Sequence, residues 1–294
     1  MSFPTTRWRA WHLHLSRLEV SASDHVVRHV VGAAVDAVFE GPTPAPWFFV
    51  RYWQYGPHVR LRVANLEPDR AERLDALLRA RMGEVRAGAP RLTDEEYRRQ
   101  AAPLAAAGEG GHVLDVGELW PPGVYQHLYQ PEFDRYGGAG LLAQSERLFQ
   151  AASELALGFL RLDPPEAARR GLGLRATQAA LAALADDQGR RRFCLRAAAG
   201  WQAWAGRRQE AEGGWTKSLA PAVALPAPVQ RWSDQVNSAM TRWRRATNEE
   251  QAQRILHAHI HMLHNRLGLS VGQEQNHYRA LAESLAVSAA LVSQ

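Results

Sequence analysis

Residues 58–63 read His-Val-Arg-Leu-Arg-Val. Strand side chains alternate between faces, so Val59, Leu61 and Val63 share one face while His58, Arg60 and Arg62 share the other. Such a strand needs a cover over its apolar face, and its second face holds charge either in water or in a site. Residues 8–15 repeat the pattern, with Trp11, Leu13 and Leu15 opposed to Ala10, His12 and His14. Trp47 to Gln54 is a further strand, joined to 58–63 by the short Tyr55-Gly56-Pro57 connection of a hairpin.

Helical spacing separates these strands. Ser23 or Asp24 is the expected N-cap of a helix running to about Phe39 and ended by Gly41 and Pro42. A second helix is predicted from about Pro68 to Ala87, with Leu74, Leu77, Leu78 and Met82 on one stripe. Residues 92–122 read as loop-rich and 124–129 as a last strand. The order β-α-β-β-α-β predicts a ferredoxin-like lobe whose two helices share one face of the sheet. From Ala139 onward the spacing is helical throughout. The fold class expected is therefore α+β, a ferredoxin-like lobe over 1–138 and a helical lobe over 139–294, packed together as one unit with the polar sheet face roofed by the helical half. Residues 101–111 and 210–228 are the segments expected to be disordered.

Composition removes several function classes. Cys194 is the single cysteine, so neither an intrachain disulfide nor a thiolate zinc cluster is available. Lys217 is the sole lysine, which leaves no basis for lysine Schiff-base chemistry or a Walker A phosphate loop. A net charge of +5 over 294 residues, with no block of like charge, suits an acidic peptide as well as it suits nucleic acid. No run approaches 18 consecutive apolar residues, and a soluble cytoplasmic protein is expected.

Two further segments hold polar groups in suggestive patterns. In Tyr129 to Gly138 (YQPEFDRYGG), Glu132 and Arg135 are i,i+3 partners, and Gly137-Gly138 permits a turn at positive φ. In RILHAHIHMLHNRLGL, His257, His261 and His264 share a helix face from which His259 points away. Three readings of that face stay open: a packed helix whose polar groups bond to neighbours, a metal site lacking the HExxH glutamate, or a neutral imidazole acting as base among arginines.

Together, WFFVRYWQYGPHVRLRV, PEFDRYGG and HMLHNRLGLS resemble blocks of the C-terminal elimination domain of class I lantibiotic dehydratases and of its free-standing thiopeptide-type relatives. The likeness extends from WHLHL to the last helix. It implies a cofactor-independent enzyme of peptide maturation acting without a metal. One implied reaction joins two dehydroalanines of a precursor peptide by formal aza-[4+2] cycloaddition, with loss of water and of the leader giving a pyridine macrocycle. The Gly-Pro-His turn and the long segment between Arg62 and Arg135 favour this branch. Elimination of glutamate from glutamylated Ser or Thr is the alternative, and a non-catalytic peptide-binding module is a third reading. The resemblance implies His261, Arg60, Arg62, Arg135 and Tyr136 as catalytic residues, with His12, His14, His58, Glu132, His257, His264 and Asn265 contacting substrate. The implied partner is a ribosomally made precursor with an acidic leader; a homodimer is compatible with this reading, and nucleic acid and membrane partners are not expected.

Overall fold

The computed structural model describes residues 6–17, 19–39, 45–86, 91–107, 113–205 and 225–292. The chain divides into two compact units. The first comprises Met1–Ala105, Leu114–Pro131 and Ala156–Asp163, and the second Ala106–Val113, Glu132–Leu155 and Pro164–Gln294.

The first unit is built on four strands, β1 (Trp8–His14), β2 (Trp47–Tyr52), β3 (His58–Ala64) and β4 (Gly123–His127). They lie in the order β2-β3-β1-β4, and every neighbouring pair is antiparallel. Register places His12 opposite Arg60, His14 opposite His58 and Ala10 opposite both Arg62 and His127. Directly opposed residues point to the same side of a sheet, so these groups share one face. The other face carries Trp11, Leu13, Trp47, Phe49, Val59, Leu61 and Val63, each no more than 1% exposed. Helices α1 (Val20–Val26), α2 (Gly32–Phe39), a π turn between them (Val27–Val31) and α3 (Pro68–Arg86) belong to this unit. Leu74, Leu78 and Met82 of α3 are buried, and Trp11 Nε1 donates to Asp75 Oδ1 of α3 across 3.0 Å. This bond ties the helix layer to the apolar face of the sheet.

Two local expectations are corrected. The first helix starts at Val20 after Glu19, and neither Ser23 nor Asp24 caps it. Asp24 is buried and pairs with Arg51 Nη2 at 2.7 Å, because Arg51 stands on the helix-facing side of β2 and needs a carboxylate there. The expected stop at Gly41 and Pro42 lies outside the described residues. The second correction concerns 92–122, where α4 (Asp94–Ala107) occupies much of the segment read as loop. Thr93 and Glu96 form a reciprocal capping box, and Tyr97, Ala101 and Ala105 are buried at four-residue spacing. Pro103 inside the helix obscured that periodicity. Of the expected disordered stretches, 101–107 is helical, 225–226 precede a helix that takes in 227–228, and 108–111 and 210–224 lie outside the described residues.

In the second unit, Asp134–Tyr136 form a 3-10 turn, followed by α5 (Ala139–Leu160), whose last residues belong to the first unit, α6 (Glu166–Ala180), α7 (Asp187–Ala205), α8 (Ala227–Ala246), α9 (Glu249–Leu267) and α10 (Val271–Val292). Helix α7 packs along α10, and α9 lies against α6 and α8. Asn248 caps α9 by accepting from Gln251 N, and Gly268 at φ 73° ends it. Trp232, Val236, Met240, Trp243, Ile255, Leu256 and Leu263 form its core. Cys194 is fully buried there, and burial pushes its thiol up to about 12, so it behaves as a small apolar side chain.

Candidate functional site

The polar sheet face of the first unit is a pile of aromatic rings. His127 stacks on His12 with ring centroids 4.0 Å apart, His12 on His58 at 4.9 Å, and His58 on His14 at 4.3 Å. Trp120 lies over His14 and His127 at 5.3 and 5.4 Å. It is held there by the 113–122 segment, where Trp120 N donates to Tyr55 O and Tyr55 N donates to Val116 O. Tyr55 and Gly56 both adopt positive φ in the hairpin, which turns the chain toward that segment. The face therefore runs from a buried end, His14 and His58, to an exposed end at His127.

Two guanidiniums complete the face. Arg60 sits 3.6 Å above the Tyr52 ring and donates Nε–H to His58 Nε2 at 2.9 Å. Since Nε2 accepts, the proton of His58 is on Nδ1, where it is donated to Gly56 O at 2.8 Å. Arg62 lies over Tyr129 and Phe48 at 4.8 and 5.2 Å. Burial, reinforced by Arg60 and neighbouring imidazoles, lowers His12 to about 2 and His14 to about 4, and holds His58 well below its ordinary value. The face is thus two fixed cations beside neutral rings, an arrangement able to receive a carboxylate or a developing oxyanion.

A metal is the other chemistry that three imidazoles suggest. One ring nitrogen from each of His12, His14 and His58 lies within 4.8 Å of the others. The fit is poor, because both ring nitrogens of His58 are engaged, Nε2 by Arg60 and Nδ1 by Gly56 O. Two neighbouring guanidiniums add repulsion toward any divalent ion.

The second unit gathers a different set. His261 Nδ1 is 2.8 Å from Glu274 Oε2, and Tyr278 donates its hydroxyl to Glu274 Oε1 at 3.2 Å. Burial alone would raise the Glu274 carboxyl, but the facing imidazoles of His261 and His264 outweigh it and hold the group well below the carboxylate range. His257 is lowered to about 4, chiefly by burial, and its ring lies among Trp201, Phe193 and Tyr278. His259 points elsewhere, stacked on Trp243 with centroids 5.2 Å apart. Arg135 pairs with Glu132 at 2.9 Å, followed by Gly137 and Gly138 at φ 79° and 94°.

The sequence matches the family described as lantibiotic biosynthesis dehydratase C-term over residues 8–285. The chain belongs to this family. Solved structures share its fold. The pyridine synthase TbtD from thiomuracin biosynthesis superposes with a TM-score of 0.64 at 18% identity, over 95% of this chain and 98% of TbtD. The tRNA-dependent lantibiotic dehydratase MibB from Microbispora sp. 107891 gives 0.58 at 21% identity, over 97% of this chain and 28% of MibB. TsrL gives 0.59 at 15% identity, over 95% and 94% of the two chains. No curated protein matches the sequence.

For this family member, the alternation in HVRLRV and WHLHL placed His12, His14, His58, Arg60 and Arg62 together as expected. His257, His261 and His264 do face one side of α9, and the group bonded to His261 Nδ1 is the Glu274 carboxylate. Arg60 acts on the imidazoles of the sheet, and Arg135 on His257 and His259 of α9, in each case adding to the effect of burial. Tyr136 is 3% exposed, packed against Phe149 and His259. Asn265 lies in the last turn of α9, its carbonyl accepting from Gly268 N. Arg266 of the same block is fully buried, donating to Ser153 Oγ at 2.9 Å and Met262 O at 2.7 Å. His127, Tyr125, Trp120 and Glu274 were missed. Alternation in 124–129 carries the signal for Tyr125 and His127; nothing local marks Glu274.

Proposed function

We propose that this chain is a peptide-maturation enzyme that joins two dehydroalanines of a ribosomally made precursor by formal aza-[4+2] cycloaddition. One amide, as its iminol tautomer, supplies the azadiene and the second alkene adds across it. Loss of water and then of the leader peptide makes the ring aromatic, so no oxidant is needed. The observation that carries this reading is the likeness to the pyridine synthase TbtD along 98% of that chain. The strand order β2-β3-β1-β4 supports the ferredoxin-like reading of the first unit.

In this reading His261 moves the proton that converts amide to iminol. Arg60 and Arg62 donate toward oxygen where negative charge develops, beside rings kept neutral by burial. Arg135 and Tyr136 are further members of the proposed catalytic set, and His12, His14, His58, Glu132, His257, His264 and Asn265 are the residues proposed for substrate binding. An acidic leader is the partner in this reading, and the net charge of +5 is compatible with it.

Glutamate elimination is the second reading, favoured by the two guanidiniums on one sheet face, a natural receptor for a glutamyl carboxylate. The test is incubation with a dehydroalanine-containing precursor and, separately, with a glutamylated one, read by mass spectrometry. Release of water and leader from the first substrate is the expected result. Loss of glutamate from the second, with the first unchanged, would replace cycloaddition by elimination, and no change in either would overturn both.

A further inference from the structure

Glu274 is a carboxylate with 1% of its side chain exposed, and burying such a charge is costly unless donors converge on it. The donors are specific. Tyr278 donates to Oε1, and His261 Nδ1 lies 2.8 Å from Oε2. His264 Nδ1 is also near, at 3.4 Å, but is not aligned to hydrogen-bond.

The tautomer of His264 follows from its other nitrogen. Thr177 donates its hydroxyl proton to Gly173 O at 2.9 Å, so its oxygen accepts from His264 Nε2, also at 2.9 Å. The His264 proton is thereby engaged on Nε2, and His261 is left as the imidazole that donates to the carboxylate. His264 and Tyr278 are 1% and 0% exposed, whereas the His261 side chain is 18% exposed. His261 is thus the member of this set that reaches the surface, and its Nε2 makes no hydrogen bond among the described residues. Trp201, with its ring centroid 4.7 Å away, flanks the imidazole.

We infer that Glu274 is the positioning residue for His261: it holds the imidazole proton on Nδ1 and so presents Nε2 as the lone pair that takes a proton from substrate. The inference rests on the proposed role of His261 and deepens it. When Nε2 takes the proton, the carboxylate on the other side of the ring is already in place and keeps the hydrogen bond at Nδ1. In the serine protease triad the carboxylate has this function, and its amide replacement favours the wrong tautomer.

The experiment is nitrogen NMR of protein carrying ¹⁵N-labelled histidine, with the His261 signals assigned by their loss in His261→Asn. In the wild type, neutral His261 is expected to carry its proton on Nδ1. Glu274→Gln places an amide beside the ring, and its NH2 favours the Nε2–H form. That variant is expected to lose about 100-fold or more in kcat with KM changed little, the split expected when ground-state binding is untouched. Wild-type His261 protonated on Nε2 would overturn the inference, as would a folded Glu274→Gln enzyme with unchanged tautomer and kcat. If Glu274→Gln fails to fold, the wild-type spectrum decides. If no precursor is converted by the wild type, the peptide-maturation reading fails, while the spectrum still decides what Glu274 does to His261.

Discussion

Arg60 donates Nε–H to His58 Nε2 across 2.9 Å, a cation bonded to a lone pair where a carboxylate would be the usual partner. The bond requires a neutral imidazole and forces its proton onto Nδ1, toward Gly56 O. Arg60→Ala removes both the donor and a charge that depresses His12, His14, His58 and His127. The imidazole pKa values of His12 and His14, held at about 2 and about 4, are expected to rise in this variant yet stay below 6.5, because burial remains the larger cause. Proton NMR titration of the ring signals reads this directly; unchanged titration would show that Arg60 does not face them.

Removing either sheet guanidinium also tests the oxyanion role. Arg60→Ala or Arg62→Ala is expected to lower kcat by about 100- to 1,000-fold, the range for a lost oxyanion donor. Lysine at either position keeps the charge but lacks the planar fork and should recover activity only in part. Wild-type kcat in both alanine variants would move the oxyanion role away from this face.

His261→Ala is expected to cut turnover at least about 100-fold while leaving leader-peptide affinity and the circular dichroism spectrum nearly unchanged. The variant leaves the buried Glu274 carboxylate without its His261 donor and is expected to be less stable to urea, so turnover is read where the spectrum shows it folded. Near-normal turnover would make His261 a packing residue and transfer the proton-moving role to another group.

Affinity for a leader-only peptide of acidic sequence is expected to fall as salt is raised, since charge attraction between exposed groups is screened over about 10 Å at 0.1 M ionic strength. Calorimetric titrations at several salt concentrations check this. Binding that ignores salt would point to apolar recognition of the leader.

Stability should depend on acid in a defined direction. His12, His14, His257, His259 and His277 are held at about 2, 4, 4, 3 and 3, in each case chiefly by burial, against 6.5 for the free imidazole. Below pH 6.5 the unfolded chain binds protons that the folded chain refuses, so stability falls as pH drops toward the folded values. Each refused proton costs about 1.4 kcal/mol per pH unit. Glu274, depressed below 4.5, adds a loss of the same sign at lower pH. The urea midpoint is expected to be level above pH 7 and to fall steeply between about pH 6.5 and 4. Equal stability at both ends of that window would mean that these rings titrate normally in the fold.

Neighbouring glycines in the PEFDRYGG block should respond differently to one methyl group. A Cβ at Gly137 would meet Leu141 Cδ1 at 2.7 Å and Ile255 Cδ1 at 2.8 Å, at φ 79°. At Gly138, with φ 94°, it would meet nothing within 4 Å. Gly138→Ala therefore carries only left-handed backbone strain, about 1–2 kcal/mol, while Gly137→Ala adds displacement of two core side chains. Denaturant unfolding of the two variants should rank Gly137→Ala as clearly less stable; the reverse order would contradict this turn geometry.

Alternation and helical spacing by themselves determined much of the architecture: a sheet with one apolar face, its His-Arg side, and a helical second half beginning near Ala139. They are local properties, because strand and helix periods dictate which side chains share a face before any tertiary contact forms. The family-bearing blocks were equally legible as contiguous residues. Tertiary structure alone decided which faces and termini meet. Asp24 became the partner of Arg51 instead of a cap, since a buried guanidinium had to find a carboxylate. Trp120 closed over His14 because a segment without periodicity was pinned to the Tyr55 backbone. Glu274 reached His261 from the next helix, 13 residues away, in a pairing that depends on how α9 and α10 are arranged and on the cost of leaving a buried carboxylate without donors. Periodicity specifies the face on which a group stands, and only packing specifies the charge that it meets there.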